Sequence, residues 1–223
     1  MVSRKFKLIL SELFGTAILL FVITGSGIMG LNLSQGNDGV ALLANSIATG
    51  AGLFVLISLL GNISGAHFNP AVSILFYLRK ELSSKKLVNY MIFQFLGGFL
   101  AVIAIHYIFN IEIFQISKHA LRVDNSMLSL LLSEIIATTG LILTILYVRE
   151  NDKNSVATAV ALFITAGYWF TSSTSFANPM VTISRIFTDT FTGINPVSVP
   201  YFLLGQFFGI FLSNFIFNFS NQK

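Results

Sequence analysis

The chain has 223 residues, of which 54% are hydrophobic and only 10% are charged. Its mean hydropathy of +0.80 excludes an ordinary soluble domain, in which about a quarter of the residues are charged. The sequence contains no cysteine and its net charge of +4 comes without a basic patch interleaved with aromatic residues, so thiolate metal sites are excluded and no nucleic-acid partner is expected.

Six apolar segments are long enough to cross a bilayer, for which about 20 residues suffice. They cover approximately residues 8–30, 40–60, 87–109, 127–148, 155–171 and 199–219, and the fifth is the shortest. The first segment carries Glu12 and lacks a convincing signal-peptidase site, so we expect it to be retained. The pattern predicts an all-α, six-span membrane protein surrounded by lipid.

The distribution of basic residues predicts the orientation. If the N-terminus is cytoplasmic, ten Lys and Arg residues fall on the cytoplasmic side and three fall outside, as the positive-inside rule requires. The cytoplasmic set is Arg4, Lys5, Lys7, Arg79, Lys80, Lys85, Lys86, Arg149, Lys153 and Lys223, and the outer set is Lys118, Arg122 and Arg185. We therefore expect a multi-pass protein of the cell membrane with both termini in the cytoplasm.

Two Asn-Pro motifs open short apolar stretches that cannot span a bilayer alone. They are Asn69-Pro70-Ala71 and Asn178-Pro179-Met180, 109 positions apart. An Asn cap followed by Pro at the first helical position is typical of a helix start. The pattern predicts two half-helices whose N-termini face each other at mid-membrane.

An internal duplication relates the two motifs. Residues 11–16 (SELFGT) resemble 133–138 (SEIIAT), and Gln94 in QFLG resembles Gln206 in QFFG. Because each half contains three spans, the second half must insert upside down relative to the first. We expect one membrane domain over residues 1–223, built from inverted repeats at 1–115 and 120–223.

The meeting point of the half-helices predicts a selective passage. Each helix N-terminus carries about half a positive charge, so two of them repel cations and protons. The amides of Asn69 and Asn178 can donate hydrogen bonds to a neutral molecule. An anion site is the alternative, but no basic residue lies beside either Asn. The sequence favours passage of neutral solutes.

These motifs resemble the aquaporin/glycerol-facilitator (major intrinsic protein) family. The resemblance rests on SGAHFNPAVS, on the second Asn-Pro motif and on the Glu12–Thr16 segment with its repeat at Glu134, and it covers nearly the whole chain. It implies a right-handed bundle of six tilted helices plus two half-helices, a homotetramer with one pore per subunit, and a channel that is no enzyme and needs no cofactor or metal.

The residues that would form the outer selectivity filter depart from the family pattern. Where the family has Arg after the second motif, this chain has Val181. Matching the remaining positions by spacing gives Thr49, Ala166 or Gly167, and Ser175. A ring without aromatic or charged residues should be wide and weakly polar. Met180 replaces the usual Ala, and we expect its flexible side chain near the constriction.

Arg185 lies one helical turn after Val181. One interpretation turns it into the pore, with Asp189 holding it aside. The other leaves it at the outer membrane interface with Asp189. The segment around Val181 resembles a bacterial branch of the family with members linked to arsenite passage, which implies metalloid hydroxides beside glycerol-like polyols, urea and water as substrates.

Glu12 and Glu134 are acidic residues deep within predicted spans, where a carboxylate is a candidate proton carrier. Their symmetric placement favours bracing instead, in which each carboxylate accepts hydrogen bonds from the backbone of a re-entrant loop. His67 could be a proton gate, but we favour a histidine that donates to a backbone carbonyl and holds the loop.

Three other functions compete with a passive channel. Ion-coupled transporters also use inverted repeats and broken helices. A membrane enzyme would need a catalytic set that the spans do not contain, and a structural junction would have a closed pore. Solute flux distinguishes all three from a channel.

Overall fold

The computed structural model describes residues 4–119 and 126–221. Arg122, Lys223 and the start of the second predicted repeat at residue 120 lie outside the described residues. The described residues form eight α-helices joined by loops and short 3₁₀ turns, which confirms the all-α prediction. The helices are α1 (Arg4–Leu33), α2 (Asp38–Ser64), α3 (Pro70–Leu78), α4 (Ser84–Ile108), α5 (Met127–Asn151), α6 (Val156–Phe170), α7 (Pro179–Ser184) and α8 (Val199–Ser220).

Five of these helices, namely α1, α2, α4, α5 and α8, are long and apolar enough to cross a membrane. The fifth predicted span is present as α6, but it has only 15 residues and is therefore about 22 Å long. A hydrocarbon core is about 30 Å thick, so α6 alone covers only part of it. A 3₁₀ turn at Lys153–Ser155 precedes α6 and lengthens the element.

The two short helices begin at the Asn-Pro motifs, as the sequence predicts. Asn69 caps α3 and Asn178 caps α7, and in both cases Pro occupies the first turn. Pro fits there because the first helical N–H has no intrahelical acceptor. Both helices are too short to span a membrane, at nine residues for α3 and six for α7.

Helix packing places α3 and α7 at the centre of the bundle. In the first half α1 packs against α2 and α4, and in the second half α5 packs against α6 and α8. Contacts between α2 and α6 join the halves. Each short helix touches both α4 and α8, and the two short helices touch each other.

Small residues permit the closest helix contacts. A Cβ atom on Gly97 of α4 would clash with the backbone oxygen of Leu13 in α1, and one on Gly205 of α8 would lie 2.6 Å from the oxygen of Leu131 in α5. Such close backbone approach is how helices gain packing energy in lipid. It fixes α4 and α8, against which both short helices rest.

Candidate channel site

The loop that precedes α3 is held by Glu12 of α1. This carboxylate accepts hydrogen bonds from the backbone N–H groups of His67 (3.0 Å) and Phe68 (2.8 Å). The hydroxyl of Ser64 (2.6 Å) and the amide of Gln94 (2.8 Å) donate to it as well. Glu12 is fully buried, so these four donors replace its hydration.

Glu134 of α5 repeats this arrangement at the loop before α7. It accepts hydrogen bonds from the backbone N–H groups of Phe176 (2.9 Å) and Ala177 (2.8 Å). The Ser173 hydroxyl (2.5 Å) and the Gln206 amide (2.7 Å) complete the set. The matched partners agree with the duplication read from the sequence.

Both loops have a strained backbone at equivalent positions. Ala66 and Phe68 have φ values of 49° and 48°, and Ser175 and Ala177 have 53° and 46°. Residues with a side chain rarely adopt this left-handed conformation, which costs about 1–2 kcal/mol each. The hydrogen bonds from Phe68 and Ala177 to the buried carboxylates help to hold it.

The two motif asparagines exchange hydrogen bonds across the halves. Asn69 Oδ1 accepts from the N–H of Ala71 (2.8 Å), and its Nδ2 donates to the carbonyl of Ala177 (2.7 Å). Asn178 Oδ1 accepts from Met180 (3.1 Å), and its Nδ2 donates to the carbonyl of Phe68 (3.0 Å). Each amide nitrogen carries two hydrogens, so one remains for a solute.

Both asparagines line one elongated cavity of about 140 Å³. Helix α6 contributes Val156 at one end and Tyr168 twelve residues later, which corresponds to about 18 Å along the helix. We name the ends after their arginines. The Arg149 mouth comprises Phe76, Arg149 and Val156, and the Arg185 mouth comprises Thr49, Tyr168, Ser175, Val181 and Arg185.

Thr49, Ser175 and Val181 all line the cavity, as predicted. The residue that α6 contributes beside them differs from the predicted one. Among the described residues, the α6 side chains that line the cavity are Val156, Val160, Ile164 and Tyr168. Ala166 lies outside this set, and a Cβ atom on Gly167 would lie 2.5 Å from Ser175 Oγ.

A spacing of about 12 residues before Asn178 selects Ala166 or Gly167, because such a spacing ignores which face of α6 lines the cavity. The four-residue spacing of an α-helix was the signal that could have identified Tyr168. Its hydroxyl lies 3.0 Å from Thr49 Oγ1 within hydrogen-bonding distance. The ring predicted to lack aromatic residues therefore contains one.

Arg185 is buried and lines the cavity. It is 5% exposed, its Nε donates to the carbonyl of Thr192, and its Cζ lies 3.7 Å from the ring centre of Phe176. Stacking over an aromatic face stabilises a desolvated cation. Asp189 Oδ1 accepts instead from the N–H of Lys118 (2.8 Å).

The remaining motif residues support the site from outside the cavity. Met180 is fully buried, and its sulfur accepts a hydrogen bond from Ser184 Oγ (3.3 Å). A Cβ atom on Gly98 of α4 would clash with the Met180 sulfur. Met180 is not among the described residues that line the cavity, so its side chain packs against α4 instead of facing the lumen. Pro70 and Pro179 start the helices, and Ala71 packs in the apolar cluster between α3, α5 and α8.

His67 is held by side chains, and the predicted carbonyl acceptor is wrong. Its Nδ1 lies 3.0 Å from Ser73 Oγ. Its ring stacks on Phe76 at 4.9 Å between centroids and meets the edge of Tyr90. His67 also lines the cavity, so it shapes the loop and the lumen together.

The Ser/Thr-rich segment at residues 171–175, before the second motif, both caps backbone groups and lines the cavity. Ser173 Oγ donates to Glu134 and accepts from the N–H of Ser175 (3.2 Å), so part of the segment caps its own backbone. Thr174 lines the cavity and an adjoining outer recess.

Within residues 4–119 and 126–221 no group of three His, Asp or Glu could hold a metal ion.

Comparison with known proteins agrees with this geometry. A family model described as MIP, major intrinsic protein, matches residues 2–168. The aquaglyceroporin AqpS of Rhizobium meliloti (strain 1021) is 42% identical over 199 residues, covering 89% of this chain and 83% of the relative. The glycerol uptake facilitator protein of Buchnera aphidicola subsp. Acyrthosiphon pisum is 33% identical over 103 residues, 44% of this chain and 36% of the relative.

The fold is also similar to a solved structure over almost its full length. The X-ray structure of the aquaglyceroporin from Plasmodium falciparum superposes with a TM-score of 0.75 at 25% identity, covering 95% of each chain. The family model, the bacterial relative and this structure all agree with the resemblance read from the sequence. The chain belongs to the major intrinsic protein family.

Proposed function

We propose that the chain is a passive channel for small uncharged solutes, with water and glycerol-like polyols as its substrates. The observation that carries this proposal is the pair of Asn69 and Asn178 amides, oriented by crossed hydrogen bonds and lining one cavity. The relatives named as an aquaglyceroporin and as a glycerol uptake facilitator support the same substrate class.

Ion exclusion follows from the two short helices. Their N-termini are capped by Asn69 and Asn178 at the cavity, and each presents a partial positive charge. A cation would lose its hydration shell there and meet only repulsion. A neutral solute can exchange water for the amide hydrogens and pass without a conformational cycle.

Glu12 and Glu134 act as braces in this proposal. Each carboxylate receives four hydrogen bonds from its loop and helix neighbours. A coupling ion would have to displace those donors, at a cost of about 1–3 kcal/mol for each buried group left unpaired. The ion-coupled alternative therefore loses its best candidate residues.

The Arg185 mouth sets solute selection. Thr49, Tyr168 and Ser175 offer hydroxyl groups there, and Val181 offers an apolar surface. Arg185 adds a positive charge whose face is covered by Phe176. Selectivity in such pores depends on diameter, hydrogen-bond donors and electrostatic barriers. This combination suits a polyol, which has hydroxyl groups and an apolar carbon backbone.

Arsenous acid is a finer proposal within the same class, because it is an uncharged triol near neutral pH. Its support is the resemblance to the Val-containing bacterial branch. We also propose that the protein is a homotetramer in the cell membrane, as the family resemblance implies. Both termini are placed in the cytoplasm, and the ten-to-three distribution of basic residues supports that orientation.

The decisive experiment compares the parent protein with Val181→Arg in proteoliposomes. Stopped-flow light scattering would measure water, glycerol and urea permeability, and arsenous acid uptake would be followed separately. We expect the arginine side chain to narrow the Arg185 mouth, reducing glycerol permeability by about tenfold and water permeability by much less. Val181→Leu, which adds bulk without charge, is the matched control.

Two results would contradict the proposal. A variant that passes glycerol and arsenous acid like the parent would show that Val181 is not part of the filter. Solute flux that requires a proton or sodium gradient would indicate a coupled transporter instead of a channel.

A further inference from the structure

We propose that Arg149 forms a second selectivity element at the opposite end of the cavity from Arg185. This inference rests on the proposed channel function and concerns the Arg149 mouth. There a guanidinium group, held on an aromatic ring by a carboxylate, limits the size of the solute and donates hydrogen bonds to it. From sequence, Arg149 is predicted only to lie among the cytoplasmic basic residues.

Three contacts place Arg149 at the lumen. It belongs to the last turn of α5 and lines the same cavity as the two asparagines. Its Cζ lies 4.9 Å from the ring centre of Phe76, and its Nη2 donates to Glu81 Oε2. Phe76 stacks on its other neighbour, His67, at 4.9 Å. The side chain is therefore positioned from two directions.

Glu81 is itself fixed by the chain that leaves α3. Its backbone N–H donates to the carbonyl of Phe76 (2.9 Å), and its Oε1 accepts from Arg79 Nε (3.2 Å). Burial raises the pKa of Glu81, but the hydrogen bonds and charges of Arg149 and Arg79 outweigh burial and hold that pKa below its usual value. A carboxylate that stays ionised at neutral pH keeps Arg149 in place.

The surroundings give the guanidinium its effect. The lining between the asparagines and this mouth is mainly apolar, with Leu141, Ile145 and Val160 among its members. Besides His67, which also lines the cavity, Arg149 is the polar side chain that a solute meets on this side of the asparagine amides among the described residues. The two ends match, because each has an arginine over a phenylalanine ring, at 3.7 Å for Arg185 and 4.9 Å for Arg149.

The competing explanation is that Arg149 only ties α5 to the loop after α3. Arg79 provides the matched control, since it binds the same Glu81 carboxylate but stacks on Phe217 at 4.7 Å. Arg79 is not among the described residues that line the cavity. Removing either arginine leaves Glu81 with one cationic partner, whereas only the loss of Arg149 removes a group from the lumen.

The test measures xylitol and glycerol permeability of Arg149→Ala, Arg79→Ala and the parent in proteoliposomes. We expect Arg149→Ala to raise the xylitol-to-glycerol ratio by about threefold or more, because a wider mouth favours the longer polyol. Arg79→Ala should keep the parent ratio. Equal ratios in all three proteins would overturn the proposal, as would equal increases in both variants.

A conservative variant keeps the proposal testable if Arg149→Ala does not fold. Arg149→Lys keeps the charge but loses the planar, forked donor group, and it should shift the ratio in the same direction by a smaller factor. An unchanged ratio in a folded Arg149→Lys protein, with Arg149→Ala failing to fold, would overturn the proposal. A parent protein that passes neither polyol would contradict the channel function itself, a result distinct from equal ratios.

Discussion

Four donors converge on each buried glutamate, and this number decides what the carboxylate can do. Glu12 and Glu134 each accept two backbone N–H groups, one hydroxyl and one glutamine amide. Two carboxylate oxygens offer about four acceptor positions, so the acceptor capacity of each glutamate is filled. Protonation would turn one of these acceptors into a donor facing other donors.

Glu12→Gln should therefore destabilise the fold. The glutamine NH₂ group would face the N–H groups now bound to one carboxylate oxygen, leaving buried donors unpaired at about 1–3 kcal/mol each. We expect a lower thermal unfolding midpoint in detergent and a lower yield of folded protein, with a similar loss in Glu134→Gln. Glu112→Gln, at an exposed position, is the control.

Normal folding of Glu12→Gln together with an altered pH dependence of solute flux would instead indicate proton transfer.

Some of the functional residues could be predicted from the sequence and others could not. The carboxylates were identified because their motifs repeat. Neither Tyr168 nor Arg149 was predicted as a lumen residue. The four-residue spacing along α6 contains the signal for Tyr168, whereas the place of Arg149 depends on its contact with Glu81, 68 residues away in sequence, which is a tertiary property.

Helix packing depends on a small number of glycines. Gly97 of α4 and Gly205 of α8 lie where the backbone oxygens of Leu13 and Leu131 occupy the space of a side chain. These contacts hold the helices on which α3 and α7 rest. The elements themselves were largely predictable, because apolar length and Asn-Pro caps are local signals. The length of α6 was less so, since its ends depend on neighbouring loops.

Gly97→Ala should separate α1 from α4. The added methyl group would overlap a backbone atom that cannot rotate away, and overpacking of this kind costs about 1–3 kcal/mol. We expect a lower unfolding midpoint measured by circular dichroism during heating. In Gly61→Ala, the control in α2, the methyl group meets no atom within 4 Å. This variant should be unchanged or slightly more stable, and an equal loss in both variants would contradict the packing argument.

The whole molecule has an orientation that its composition makes easy to test. Because the chain has no cysteine, a single introduced cysteine gives an unambiguous accessibility signal. Lys118 and Lys85 are both exposed and are predicted on opposite sides of the membrane.

The repeat limits at residues 115 and 120 remain a prediction, since residues 120–125 lie outside the described part of the chain.

We expect a membrane-impermeant maleimide to label Lys118→Cys in intact cells. Lys85→Cys should react only after the membrane is permeabilised, because the basic residues before α4 favour the cytoplasmic side. The measured quantity is the labelled fraction of each variant before and after permeabilisation. The opposite pattern would invert the proposed topology.

The crossed amide contacts also constrain how the protein is made. Asn69 donates to the carbonyl of Ala177, and Asn178 donates to the carbonyl of Phe68, so neither tip is complete without the other. A nascent chain that stops before α7 exposes an unpaired amide and an unpaired carbonyl in the lipid interior, each costly to leave unsatisfied. A chain that lacks the second half is therefore expected to be unstable. Both halves must be synthesised before an open pore can form.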